Sequence, residues 1–200
     1  MINSRILLSA ASIAAAAALV VGATFAYFSD SGTSSSNTFS TGTLELKLTD
    51  GNETDQDSVT ASFGSSTLVP GSCTGDQTLT LKNTGTIAAN HAEVKLTGNV
   101  VSDAGNNATP DIDSFLRITK LEYGGASVLS QITNANGNGF VDLNDWAAAT
   151  TKLDSLALTD LNAGHNLVMD VCLDSTAGNT LQGDSVVSTF TVNLNQDASQ

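Results

Sequence analysis

Strict alternation of apolar and polar residues recurs along most of the chain. It is clearest at residues 44–48, where three leucines alternate with Glu45 and Lys47. Successive side chains of a β-strand point to opposite faces, so this period of two is typical of a half-buried strand. Similar runs predict further strands at 59–63, 78–81, 93–96, 116–123, 167–173 and 190–194.

Turn-forming residues separate these runs. They include Asp50-Gly51-Asn52, Pro70-Gly71, Asn83-Thr84-Gly85 and Gly183-Asp184, all residue types that favour chain reversal. Many short strands joined by such turns predict a mainly β fold, an antiparallel β-sandwich of the jelly-roll kind.

The stretch from about 103 to 160 breaks this rhythm because it is rich in Asn, Gly and Ala. We interpret it as a long loop insertion in the sandwich. Within it, Leu143, Trp146, Ala147 and Thr150 lie at helical spacing, which predicts a short helix.

The first 26 residues differ from the rest. A single positive charge at Arg5 precedes an uncharged run from Ile6 to Ala26, and Thr24-Phe25-Ala26 offers small residues before a cleavage point. This pattern indicates a secretory signal peptide over residues 1–26, cut between Ala26 and Tyr27, and therefore a secreted protein. A retained transmembrane anchor is the alternative, since the run is long enough to span a bilayer.

Charge and composition narrow the range of partners. The 200 residues include 7 Lys and Arg against 20 Asp and Glu, a net charge of −13. Such a chain repels nucleic acid and anionic lipid head groups, so we expect neither as a partner. Hydrophobic residues make up 40% of the chain, which excludes a fully disordered protein.

Cys73 and Cys172 are the two cysteines of the sequence. They form no C-x-x-C motif, which excludes a thioredoxin-like redox site and a zinc site built from cysteines. An even pair in an exported chain is typical of one disulfide, and two unpaired thiols are the alternative. Alternation places Leu167 and Met169 on the opposite face from Cys172, so the bond would lie outside the main core.

Residues 134–145 resemble the calcium loop of EF-hands, particularly its dockerin-like variant. Oxygen-bearing side chains stand at loop positions 1, 3, 5, 9 and 12, which are Asn134, Asn136, Asn138, Asp142 and Asp145. Gly139 permits the sharp turn and Phe140 offers its carbonyl oxygen. The spacing predicts a structural Ca²⁺ ion, bound at about 10⁻⁴–10⁻³ M because only two ligands are charged. An Asn/Gly-rich turn that binds nothing is the alternative.

No residue pattern points to catalysis. His91 and His165 lie on or beside predicted strands, outside any His-Glu-x-x-His helix, and no Gly-x-Ser-x-Gly motif is present. We interpret the carboxylates at 53–57, and those of Asp111 and Asp113, as solvated turn charges. The sequence therefore predicts a protein that is not an enzyme.

Two glycosylation sequons lie in polar loops, at Asn52 and Asn107. Both would be exposed and accessible to a glycosyltransferase. They matter only in a host that modifies its exported proteins.

The start of the predicted mature chain resembles that of a known family. Phe28-Ser29-Asp30, followed by residues 37–46, is similar to the mature start of the TasA/camelysin family of biofilm matrix fibre subunits, which includes archaeal bundling-pilus subunits. Residues 68–71 and 79–88 resemble the family's Pro-Gly turn and its strand into an Asn-x-Gly corner. Residues 183–195 resemble its last strand.

The resemblance implies a jelly-roll subunit that polymerises by donor-strand complementation. Residues 27–40 would form an N-terminal segment and residues 41–200 the sandwich. Residues 27–38 would complete the sheet of the next copy in a head-to-tail homopolymer, with neighbouring filaments as further partners in bundles. The donor residues would be Tyr27, Phe28, Asp30, Thr33 and Asn37. A tail without a partner is the alternative.

Two other functions stay open at the level of sequence. A leader that is retained, or cut before Ile6, would give a membrane-anchored or type IV-like pilin built on helix 6–26. A sandwich that stays monomeric would be a calcium-dependent adhesive or carbohydrate-binding protein.

Overall fold

The computed structural model describes residues 3–23, 40–60, 63–65, 67–105, 109–148 and 150–198. It divides into two units, Met1–Ser40 and Thr41–Gln200. The described part of the first unit is helix α1, Ser4–Ala23. Among the described residues, no helix combines the length and the apolar character that crossing a membrane requires.

The described residues of the second unit form two antiparallel sheets that pack as a sandwich. The strands are β1 (Leu46–Thr49), β2 (Gln77–Asn83), β3 (His91–Ser102), β4 (Leu116–Tyr123), β5 (Ala126–Ser127), β6 (Leu153–Leu156), β7 (Gly164–Leu173) and β8 (Ser185–Asn195). One sheet has the order β1-β2-β7-β4-β5 and the other β6-β3-β8. The predicted mainly β sandwich is confirmed.

The core lies between the two sheets. In β7, every second residue from Leu167 to Leu173 is buried, and β4 and β2 repeat that pattern on either side. Helix α2, Leu143–Ala147, adds Trp146, whose side chain is fully buried. The predicted short helix is therefore present, as one turn that closes an end of the core.

The strand predicted at 59–63 is wrong for the residues described there, 59, 60 and 63, which form a loop. The preceding segment folds back on β1, where Leu48 and Gln56 exchange backbone hydrogen bonds of 2.8 and 2.9 Å. Val59 and Phe63 pack on the core from this loop. The alternating pattern here arises because Val59 and Phe63 cover the core. The described residues of this loop do not form the backbone hydrogen bonds of a strand with a neighbour.

The stretch 103–160 contributes to both sheets. It supplies β4, which lies between β7 and β5, and β6, which lies at an edge of the smaller sheet. It also contains α2 and short 3₁₀ turns at Ile112–Ser114 and Leu129–Gln131.

The chain enters the sandwich through a tightly packed corner. The Thr86 N–H donates to the Thr43 carbonyl at 2.8 Å, and the buried Asn83 side chain accepts from the N–H groups of Glu45 and Gly85 at 3.3 and 3.0 Å. A Cβ at Gly85 would overlap the carbonyl oxygen of Thr43. The corner therefore needs glycine because two backbone segments approach closely there.

Candidate functional site

The β8 strand is incompletely covered. Its eleven residues pair with β3 on one side only, and no described strand lies on the other side. Its inward side chains, among them Val186, Phe190, Val192 and Leu194, are all half-buried. Unpaired N–H and C=O groups beside a half-exposed apolar face are the features that allow an edge to accept another strand.

A groove separates the β8 edge from β1, the edge of the larger sheet. It encloses about 640 Å³ and has apolar walls that include Leu46, Leu48, Phe63 and Phe190. Polar side chains line much of the rest, at Asp57, Ser58, Thr60, Ser188, Thr189 and Thr191. The groove therefore offers apolar pockets and hydroxyl groups along one strand.

Aromatic side chains join the groove to the core. The Phe190 ring lies 4.9 Å from the Trp146 ring of α2 and contacts Phe63 edge-to-face at 5.6 Å. Such offset contacts stabilise aromatic pairs beyond the area they bury. The floor of the groove is thus held by the helix that follows residues 134–142.

The structure brings four of the predicted calcium ligands together: Asn136, Asn138, Asp142 and Asp145. The Asp142 carboxylate caps α2 by accepting from the Asp145 N–H at 2.8 Å, and Asp145 accepts in return from the Asp142 N–H at 3.1 Å. The Asp145 carboxylate also accepts from the N–H groups of Ala135 and Asn136. Both acids are fully buried, although they face a polar loop.

Two of the three asparagines of this loop point towards Asp142, while Asn134 contacts the Gly137 backbone. Asn136 and Asn138 donate their amide N–H groups to Asp142 at 2.8 and 2.7 Å, and the Asn134 oxygen accepts from the Gly137 N–H. Burial raises the pKa of Asp142, while these amide donors and the Asp145 N–H act against the rise. The loop therefore holds a buried carboxylate whose present partners carry no charge.

The interpretation of Asp113 as a solvated turn charge is wrong. Its side chain is buried and accepts from the amides of Asn99 at 2.7 Å and Asn144 at 3.2 Å. The carboxylate thus connects a 3₁₀ turn to β3 and to α2. Alternation could not reveal this role, because the two partners lie far from Asp113 in sequence.

A second polar cluster, which sequence reasoning missed, lies on the outer face of the smaller sheet. His91 and Glu93 of β3 lie beside Asp154 of β6, with His91 Nε2 3.7 Å from a Glu93 oxygen and 3.4 Å from an Asp154 oxygen. Lys152 forms ion pairs with both carboxylates. The sequence signal that could have revealed this cluster is the pattern His-x-Glu within a predicted strand, since residues two apart share a face.

Two groups of this cluster, Lys152 and Asp154, have shifted pKa values. The hydrogen bond to Glu93 raises the pKa of Lys152. Burial acts to raise the pKa of Asp154, but the Ser155 N–H and the nearby Lys152 ammonium outweigh it and hold that pKa below its usual range. Asp154 and Lys152 are therefore charged at neutral pH.

Cys73 and Cys172 form a disulfide across 99 residues. Cys73 is exposed and Cys172 is half-buried beside the buried Val171. The bond lies on the outer face of the larger sheet, where it attaches the loop before β2 to β7.

Several predicted site residues fall outside the described part of the chain. They are Ala26, Tyr27, Phe28, Asp30, Thr33, Asn37 and Asn107. Asn52 is described and is exposed in the turn after β1.

The sequence profile of the camelysin metallo-endopeptidase family matches residues 1–200. The chain belongs to the camelysin family. No curated protein matches the sequence significantly. Camelysin and TasA-like family members are extracellular or cell-surface proteins related to the biofilm matrix.

The family description implies a metal, so the histidines of this chain need to be compared with that chemistry. His165 stacks on Tyr123 at 5.9 Å in the larger sheet, while His91 lies in the smaller sheet. Among the described residues, each group with metal-ligand spacing holds at most one histidine. Of the two such groups among the described residues, His91, Glu93 and Asp154 are the intact set, because the other includes both sulfurs of the disulfide.

Proposed function

We propose that this chain is a secreted structural subunit that polymerises into extracellular fibres of a biofilm matrix. In this proposal the N-terminal segment of one copy, residues 27–38, adds a strand to the β8 edge of the next copy. The observation that supports it best is the half-buried inward face of β8 beside the open groove. Membership in the camelysin family supports the same assignment.

The lengths of donor and acceptor agree. Twelve extended residues span about 40 Å at roughly 3.3 Å each, and β8 is an 11-residue strand. The donor is rich in serine, glycine and threonine between Ser31 and Asn37. Hydroxyl groups along the groove suit such a segment, while Tyr27 and Phe28 provide the large apolar side chains.

The contact would be head-to-tail, because donor and acceptor are different surfaces of the subunit. A heterologous contact of this kind does not close on itself and generates a filament. The packed corner at Thr43 and Gly85 fixes the point at which the donor segment leaves its own sandwich.

We also propose a structural rather than a catalytic role. A catalytic metal site keeps a position open for substrate or water. Around His91 that space is occupied by the Lys152 ammonium and the Asn195 amide. The described residues therefore favour assembly over peptide hydrolysis.

The test compares the mature chain, starting at Tyr27, with a variant that lacks residues 27–38. We expect filaments of the mature chain in electron micrographs and a folded monomer of the shortened chain in size-exclusion chromatography. A synthetic 27–38 peptide should bind the shortened chain with one-to-one stoichiometry, whereas a scrambled peptide of the same composition should not. Filaments formed by the shortened chain would overturn the proposal.

Export has a separate test. N-terminal sequencing of the protein from its host should give Tyr27 as the first residue, because cleavage follows Ala26. A start at or before Ile6 would contradict the proposed donor and favour a pilin built on the leader helix.

We propose further that residues 134–145 bind a structural Ca²⁺ ion. The buried carboxylates of Asp142 and Asp145 and the asparagines that contact Asp142 support a hard-cation site. Millimolar calcium should raise the melting temperature of the mature chain, and Asp145→Ala should abolish that increment. Because Asp145 also caps α2, the variant will melt lower without calcium, so the increment is the decisive quantity. An unchanged increment would contradict the site.

A further inference from the structure

The chain enters its sandwich at the end where β8 finishes. The Ile87 N–H donates to the Thr43 carbonyl at 3.2 Å at the packed corner. Three residues further along the chain, the Asn90 N–H donates to the Asn195 carbonyl at 2.7 Å. Asn195 is the last residue of β8, and Ser185, the first, lies at the opposite end of the strand.

This entry point determines the direction in which a donor segment would run along the next copy. In the proposed filament, on which this inference rests, all copies have the same orientation because the contact is head-to-tail. A segment that extends away from the corner of one copy meets the next copy where its β8 begins. Thr38 would lie near Ser185 of that copy, and Tyr27 near Asn195. The donor therefore runs antiparallel to β8.

A donor that folded back on the β8 edge of its own copy would have the opposite direction. Thr38 would then lie near Asn195, beside the corner, and Tyr27 near Ser185, so the two strands would be parallel. Antiparallel pairing is slightly more stable per residue than parallel pairing. The direction thus distinguishes donation to a neighbour from pairing within one chain.

The donor sequence indicates which of its two faces enters the groove. Successive side chains of a strand point to opposite faces, and the even-numbered face carries Asp30. Of the described residues that line the groove, Asp57 is the charged one, and it already pairs with Lys47 at 2.7 Å. A second carboxylate beside it would be buried and repelled. The odd-numbered face is uncharged and consists of Tyr27, Ser29, Ser31, Thr33, Ser35 and Asn37.

The groove offers an apolar end for the aromatic residue of this face. Leu46, the first residue of β1, lies beside the corner, and Val192 and Leu194 belong to the end of β8 that finishes there. All three side chains pack on the core but are only partly buried. An antiparallel donor places Tyr27 at this end, where its ring can cover them while its hydroxyl stays at the rim.

We propose that the donor pairs antiparallel with β8 of the next copy and inserts its odd-numbered face, with Tyr27 anchored between Leu46 and Leu194. Phe28 and Asp30 would face away from the groove. The residues that determine specificity are then every second residue of the segment, and their neighbours are free to vary.

A matched pair of substitutions in the mature chain tests the face. Thr33→Asp should raise the protein concentration required for filaments at least about tenfold, because it places an unpaired carboxylate in the groove. Ser34→Asp introduces the same charge one residue later, on the outer face, and should raise that concentration less than about twofold. Sedimentation of filaments measures both values. Equal effects, or a larger effect of Ser34→Asp, would overturn the proposed face.

Photo-cross-linking in filaments tests the direction. The mature chain carries p-benzoylphenylalanine in place of Tyr27, which keeps an aromatic side chain at that position. Irradiation of filaments mixed from labelled and unlabelled subunits, followed by mass spectrometry, identifies the contact and shows whether it joins two subunits. We expect a cross-link from one subunit to Leu46 or to residues 192–195 of another.

Two results would overturn the direction while leaving the proposed function intact. One is a cross-link between subunits to residues 185–188, which would indicate parallel pairing. The other is a cross-link within a single subunit in filaments that still form. Absence of filaments from the unmodified mature chain would overturn the proposed function and this inference together, so the two failures can be distinguished.

Discussion

Strands β7 and β8 have the same alternating sequence pattern but occupy different positions in the sandwich. β7 pairs with β2 and β4, and its inward residues Leu167 and Met169 are buried. β8 pairs with β3 alone, and its inward residues Val192 and Leu194 stay half-buried. A period of two defines the faces of a strand, but only pairing on both sides completes its burial.

The largest expected effect concerns the disulfide on the β7 side. The double variant Cys73→Ser, Cys172→Ser should lower the free energy of unfolding by about 4–5 kcal/mol, because a 99-residue loop regains its freedom when unfolded. Urea unfolding of the chain lacking residues 27–38 measures this value. The same double variant of the mature chain, with residues 27–38 present, should still form filaments below its melting temperature. Loss of filaments without loss of stability would show that the disulfide beside β7 also acts on assembly at the β8 edge.

A pair of identical substitutions compares the two strands directly. Leu167→Ala should lower the free energy of unfolding of the shortened chain by about 3 kcal/mol, and Leu194→Ala by about 1 kcal/mol, because only Leu167 leaves a closed cavity. Urea unfolding gives both values. In the mature chain the order should reverse for filament stability, since Leu194 belongs to β8, the edge to which the proposed donor would add. Equal effects in the shortened chain would show that β8 is already complete.

The entry corner should be sensitive to a single methyl group. Gly85→Ala should lower the free energy of unfolding by about 1–3 kcal/mol, because its Cβ overlaps the Thr43 carbonyl. Gly51→Ala is the control, since a Cβ there meets no atom within 4 Å. Thermal unfolding of both variants measures the difference, and similar melting temperatures would contradict the close packing.

The smallest expected effect is at high pH, beside β7. Burial raises the pKa of Tyr123 to about 12, and its hydroxyl donates to the Ala157 carbonyl at 2.9 Å. The folded state therefore favours the neutral phenol, so this contribution to stability is complete below about pH 10 and is lost towards pH 12. Absorbance titration should show a late tyrosine ionisation that Tyr123→Phe removes. Its persistence in that variant would assign the ionisation to Tyr27.

Most strands of the sandwich could be predicted from the alternation of apolar and polar residues, but which strands pair with each other could not. The patterns at 116–123 and 167–173 correspond to β4 and β7, whereas β5 and β6 have two and four residues and carry too short a pattern. Residues 134–145 converge because one short loop contains them all. The cluster of His91, Glu93 and Asp154 was missed because it depends on the pairing of β3 with β6, about 60 residues apart in sequence.

The uninterrupted length of β8 has a mechanical consequence. In the proposed filament, a donor strand seated along all eleven residues would form a continuous ladder of hydrogen bonds with β8, and tension along that strand would load these bonds together. Separating two subunits would then require the whole ladder to slip at once. Mechanical resistance of this kind would come from backbone hydrogen bonds and would not depend on large side chains. It therefore suits a donor segment composed mostly of serine, glycine and threonine.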